Sequence, residues 1–151
     1  MEKFYPKEFA QFFFFTHVDE SKSSDLSIEA IALFSKLQRS SLYSRQTDQN
    51  FVRATYRIWK KYPVRISYSS PLPTLSPEVI SRKGGSQLNS WAYFLAHLRH
   101  EEYLALIWSE VFSISSSDLA QALNESQGTI QYRLQKGLIK IGQYLKKQGS
   151  L

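Results

Sequence analysis

The sequence predicts an all-α protein: two small helical domains joined by a Pro/Gly-rich linker. Two observations carry that expectation. Apolar residues recur at spacings of three and four through most of the chain, the period of a half-buried helix. Three of the five prolines and a Gly-Gly pair fall in one stretch, "SSPLPTLSPEVISRKGGSQ", residues 69–87, which has the composition of a linker and not of a core. The expected division is 1–68, linker 69–87, and 88–151. At 151 residues, 42% hydrophobic and 15% aromatic, the chain can bury a real core, either as one ordinary domain or as two near the lower size limit.

In the first half, Phe9, Phe12, Phe13 and Phe15 form one apolar face. Ser24 or Asp25 is the expected cap of a second helix, whose Leu26, Ile28, Ala30, Ile31, Leu33, Phe34 and Leu37 are apolar almost all round. A polar loop through Ser40, Ser44 and Thr47 leads to "FVRATYRIWKKY", with Phe51, Val52, Thr55, Ile58 and Trp59 at helical spacing and Pro63 as its stop. The second half restarts at Trp91, Phe94, Leu95 and Leu98, and continues through Leu104, Ile107, Trp108 and Val111. "SISSSD" caps a short helix with Leu119, Ala120 and Leu123. After a tight "NES" turn comes a long helix with Ile130, Leu134, Leu138, Ile141 and Leu145 as its expected buried stripe.

Composition excludes several classes of function. There is no cysteine, hence no disulfide framework, thiolate metal site or cysteine nucleophile. The Phe12–Phe15 cluster is too short for a membrane span and lacks the features of a signal peptide; a soluble, cytoplasmic protein with no membrane partner is expected. His17, His97 and His100 lack carboxylate or thiol neighbours at ligand spacing, so no metal site is expected. Lys83-Gly84-Gly85 is not a phosphate loop, and no serine sits in a nucleophile elbow. Neither catalysis nor a cofactor is predicted.

The net charge of +6 and pI near 9.5 point to a polyanionic partner, and their distribution says more. From Ser126 onward Arg133, Lys136, Lys140, Lys146 and Lys147 stand without an acid, whereas Glu101, Glu102, Glu110, Asp118 and Glu125 stand together without a cation. A short helix, a tight turn and a longer helix form a helix-turn-helix arrangement. At about 100° per residue, the last helix turns Thr129, Tyr132 and Lys136 away from its apolar stripe, with Gln127, Gln131, Arg133 and Gln135 alongside. Amides and guanidinium groups suit base edges and phosphates in a major groove, and Gly128 would admit a close backbone approach. Such a face is also what any solvated amphipathic helix presents.

Here "SDLAQALNESQGTIQYRLQKGLIKI" resembles the region 4 helix-turn-helix of the bacterial sigma-70 family. The match runs through Asp118-Leu119-Ala120, Leu123, Gly128-Thr129-Ile130 and Arg133-Leu134, and "FLAHLRHEEYLALIWSEVFSIS" resembles the preceding helix pair. More faintly, "SDLSIEAIALFSKL" and "FVRATYRIWKKYPVR" resemble the polymerase-docking and promoter-melting helices of region 2 in the small extracytoplasmic-function group, with Ile28 where that family usually has Gln. The resemblance implies a factor that joins bacterial RNA polymerase core through Asp25, Ile28, Glu29 and Ala32 and reads promoter DNA, with an anti-sigma protein as a further implied partner. Independently, Arg53, Tyr56, Arg57, Trp59, Lys60, Lys61, Tyr62 and Arg65 interleave cations with aromatics, the composition of a single-strand platform. Of these, Tyr56, Lys60 and Lys61 are the expected surface contacts, whereas Ile58 and Trp59 are expected in the core. Two alternatives stay open: a DNA-binding regulator without polymerase docking, and a protein-interaction module binding a sigma or anti-sigma partner.

Overall fold

The computed structural model describes residues 6–17, 19–40, 42–62, 91 and 95–147, helices and their connections, with no strand among them. The elements are α1 (Pro6–His17), α2 (Glu20–Arg39), α3 (Thr47–Lys61), α4 (His100–Leu106) running on into a π-helical turn (Ile107–Val111), α5 (Ser116–Leu123) and α6 (Gln127–Lys147). The all-helical expectation holds for these residues. The 69–87 segment and Pro63 lie outside them.

α2 starts well before its expected caps, Ser24 and Asp25. Asp19 is the cap, accepting from the Lys22 amide at 3.1 Å. The serines around the expected start lie inside the helix: Ser23 donates to the Glu20 carbonyl at 2.8 Å and Ser27 to the Ser24 carbonyl at 2.7 Å. Back-bonding of this kind satisfies the hydroxyls without ending the helix. Asp25 is therefore a mid-helix surface residue.

The apolar faces of the two halves close on each other. Phe9 meets Phe34 and Phe51 edge-on, with ring centroids 5.3 and 4.9 Å apart. Phe12 stacks on Trp108 at 5.7 Å, and Phe51 meets Phe112 at 5.0 Å. The Trp108 indole N–H donates to the Thr55 hydroxyl at 3.1 Å, and that hydroxyl donates to the Phe51 carbonyl at 2.7 Å. The Trp91 indole N–H likewise donates to the Phe15 carbonyl at 2.8 Å. The buried hydrophobic residues from both sides of the 69–87 segment form one contiguous cluster. Each fully buried large side chain contributes about 1.5–3 kcal/mol, so halves that the sequence divides into separate domains are joined here by aromatic packing.

Polar contacts reinforce the junction. The Gln49 side-chain amide on α3 donates to Asp118 Oδ1 at 3.1 Å and to Gln121 Oε1 at 2.7 Å, both on α5.

Candidate nucleic-acid interface

α5 and α6 are each fixed at their termini by side chains that the local sequence supplies. Ser115 caps α5 by accepting from the Asp118 amide at 3.1 Å. Asn124 ends it in the left-handed conformation, φ 56°, which Asn tolerates better than most residues. The Glu125 amide then reaches back to the Ala120 carbonyl at 2.9 Å, closing the turn. Ser126 caps α6, accepting from the Thr129 amide at 3.0 Å. Short helix, tight turn and long helix are therefore each closed by hydrogen bonds.

On α6 the buried face differs from the expected leucine stripe. Ile130 is fully buried and Leu134 and Ile141 are half-buried, but Leu138 is 50% and Leu145 43% exposed. The missing contact is made by a glycine. Gly137 is buried, and a β-carbon there would lie 2.6 Å from Leu106 Cδ1. Without one, α4 and α6 approach closely, and Leu138 is turned outward.

The charge polarity of the second half resolves partly into pairs across this packing. Lys140 Nζ donates to Glu102 Oε1 at 2.7 Å, and Arg133 donates to Glu125 Oε1 at 3.2 Å. Burial pushes the Glu102 carboxyl up, but the Lys140 ammonium and the Arg99 backbone N–H outweigh it and leave the group below its ordinary value. Lys136 is not part of these pairs. It is exposed, with its ammonium 5.6 Å from the Tyr132 ring centroid.

Gln127, Gly128, Gln131, Tyr132, Gln135 and Lys136 are exposed, and Thr129 and Arg133 half-buried. Gln127 donates to the Ser116 hydroxyl at 3.1 Å and Thr129 shares a hydroxyl contact with Ser126 at 2.8 Å. Gln131 and Gln135 make no side-chain hydrogen bond among the described residues. A β-carbon at Gly128 would meet only Ser126 Oγ at 3.9 Å, so the protein's own packing does not require glycine there.

The α3 candidates are held differently. Arg53 folds back along its own helix, donating to Gln46, Asn50 and Gln49 at 2.8, 2.9 and 3.0 Å, and lies over the Tyr43 ring. Tyr56 stacks against Trp59 and meets Trp108 edge-on. It shares with Arg133 the wall of a cleft of about 160 Å³. Lys60 is exposed, 5.0 Å from the Tyr56 ring. Lys61 and the Tyr62 hydroxyl both donate to Glu29 at 3.3 Å, tying one expected DNA contact to one expected polymerase contact. Asp25, Ile28 (66% exposed) and Ala32 line the outer face of α2, with Glu29 half-buried beside them. Ile58 and Trp59 are buried.

Sequence reasoning missed His17. It is fully buried, its Nε2 donating to the Tyr62 carbonyl at 2.8 Å while Nδ1 lies 2.8 Å from the Thr16 hydroxyl. Burial holds the imidazole below its usual pKa. No group of three or more His, Cys, Asp or Glu suited to a metal occurs among the described residues, and no described helix is long and apolar enough to cross a membrane. No family model, curated protein or solved structure matches the chain.

Proposed function

We propose that the chain is a DNA-binding transcription factor of the sigma-like kind, reading promoter DNA with the first turns of α6 and joining bacterial RNA polymerase core through the outer face of α2. One observation carries the DNA-binding part. α6 is anchored at Ile130 and Gly137 while its amides, Tyr132 and Lys136 stand in solvent, a set of donors and acceptors that suits base edges and phosphates. Exposed Asp25, Ile28 and Ala32 support the docking part together with the sequence resemblance. An anti-sigma partner rests on the sequence resemblance alone.

A second reading, a helix-turn-helix regulator that does not dock on polymerase, is favoured by the shared aromatic core. A two-anchor initiation factor works best with its anchors on a tether, whereas here α3 and α5 are packed together. Run-off transcription with core enzyme and promoters from the source genome separates the two. Transcript from a specific promoter, with co-elution of protein and core, supports the sigma-like reading. DNA retardation without either leaves the regulator, and no retardation even in low salt rejects both.

A further inference from the structure

Where α3, α4, α5 and the first half of α6 meet, the structure holds a cleft of about 160 Å³. Its aromatic surface comes from Tyr56 on α3 and Trp108 in the π-helical turn, with Leu104 and Leu123 beside them. Turns of that kind are rare and fall frequently at functional positions. The Trp108 indole N–H is already spent on Thr55, whereas the Tyr56 hydroxyl makes no hydrogen bond among the described residues.

Volume limits the occupant. An apolar cavity of about 150 Å³ is filled by one benzene ring, so this cleft has room for one ring and little more. Charge then selects among rings of that size. Glu101 and Glu125 bring two carboxylates to the cleft and Arg133 one guanidinium, leaving one negative charge in excess when histidine is counted as neutral. Glu101 Oε1 lies 3.1 Å from His100 Nε2 and Glu125 Oε1 lies 3.2 Å from Arg133, so each carboxylate keeps a second oxygen that accepts from no described residue. A nucleic-acid strand is a poor fit, because its phosphates would meet both carboxylates.

We propose that this cleft binds a small planar organic cation of the amidine or guanidine class, which takes Glu125 from Arg133 and frees the guanidinium for DNA. A planar cation donates paired N–H groups to a carboxylate in its own plane and lays its face on an aromatic ring. The cleft offers both partners. Lys60, 5.0 Å from the Tyr56 ring, does not line it. Occupancy of the cleft stands independently of DNA; the release of Arg133 rests on the DNA-binding reading above.

The local structure makes the exchange easy. The Arg133 and Glu125 side chains are 23% and 40% exposed, and an ion pair this open contributes little, so a competing cation displaces it. The Glu125 backbone is fixed by its 2.9 Å bond to Ala120, so changing partners requires only side-chain rotation. By linkage, a cation that raises affinity for DNA is itself bound more tightly, by the same factor, when DNA is present.

Benzamidine, one ring bearing one amidinium, is the probe, and neutral benzamide of the same shape is the control. A ligand this small in an open cleft binds in the millimolar range, followed by the Trp108 indole N–H resonance. Benzamide should bind at least about fivefold more weakly than benzamidine, and Glu101→Gln with Glu125→Gln should reduce benzamidine to the level of benzamide. Near saturation, benzamidine should raise affinity for a mixed-sequence duplex about twofold to fivefold, the size of an exposed ion pair, against benzamide with matched salt. In Arg133→Ala that rise should vanish while benzamidine still binds. If benzamidine and benzamide bind the parent alike, or neither moves the Trp108 resonance, the cation site is overturned whatever DNA does. If benzamidine binds selectively but duplex affinity stays constant, the release of Arg133 is overturned and both the site and DNA binding stand. If no duplex is bound under any condition, the DNA reading and the release fall together, and the selective binding of benzamidine alone decides the site.

Discussion

Arg53 on α3 and Lys136 on α6 are both cations beside a tyrosine on an amphipathic helix, and they end in opposite situations. Arg53 spends its guanidinium on Gln46, Gln49 and Asn50 and lies over Tyr43; burial lowers its pKa while leaving it charged. Lys136 stands in solvent beside Tyr132, and neighbouring Gln131 and Gln135 are exposed too. The difference lies in the neighbours. α3 is pressed between α2 and α5, so its polar groups are consumed in holding the junction. α6 meets the rest of the molecule along one narrow line, so its other side is left in solvent. Composition alone does not distinguish a basic-aromatic strut from a basic-aromatic reader.

The largest expected effect tests the line itself. Ile130→Asp places an unpaired carboxylate at a fully buried position and should unfold the protein, since no partner offsets the lost hydration. Leu138→Asp, eight residues on at a half-exposed site, should melt within about 0.5 kcal/mol of the parent. Circular dichroism melts check both. Similar losses at the two positions would mean that the leucine stripe, and not the glycine line, is the buried face of α6.

That distinction also marks how far the sequence could be read. The helical periods, the tight Asn124 turn, the polar start of α6 and the burial of Ile58 and Trp59 were legible because they depend on local chemistry. Gly137 was not, because a residue without a side chain leaves no trace in a hydrophobic pattern, and its importance belongs to Leu106 on another helix. The pairing of Phe12 with Trp108 was hidden for a similar reason: both read as apolar, but neither names its partner across more than ninety positions. α2 began early because internal serines back-bond as readily as they cap.

Next in size are the glycines. Gly137→Val drives a branched side chain into Leu106 and should cost about 1–3 kcal/mol by overpacking. Gly142→Ala, with open space around it, should stabilise the free protein by up to about 1 kcal/mol. Thermal melts of opposite sign would confirm the asymmetry of α6, and equal signs would break it.

Two buried ionisable groups give the fold a signature in pH. His17 is neutral and buried, with a folded pKa depressed below 6.5 by desolvation. The unfolded chain therefore binds a proton that the folded one resists, and stability present above pH 6.5 is lost as pH falls toward the folded value. Glu102, also depressed, adds a loss in the same direction below its ordinary 4.5. The melting temperature should fall between about pH 7.5 and 5.5, and His17→Gln should flatten that slope. A parent melting temperature constant over this range would show that the imidazole is not held neutral.

The smallest effect separates strut from reader directly. A lysine that neutralises one phosphate changes the slope of log affinity against log salt by about one unit, with little consequence for folding when it is exposed. Lys136→Ala should flatten the salt dependence of binding to mixed-sequence DNA by about that amount and weaken all sequences alike. Arg133→Ala acts through a second route, since it frees Glu125 at the turn from its 3.2 Å partner; it should lower affinity without being a clean phosphate count. Lys60→Ala is the comparison on α3, exposed like Lys136 but resting beside Tyr56 at the cleft. If α6 alone reads duplex DNA, Lys60→Ala leaves the duplex slope unchanged, and it flattens the slope on single-stranded DNA if α3 tracks that strand. A duplex slope that moves with Lys60 but not with Lys136 would reverse the assignment and make α3 the reading helix.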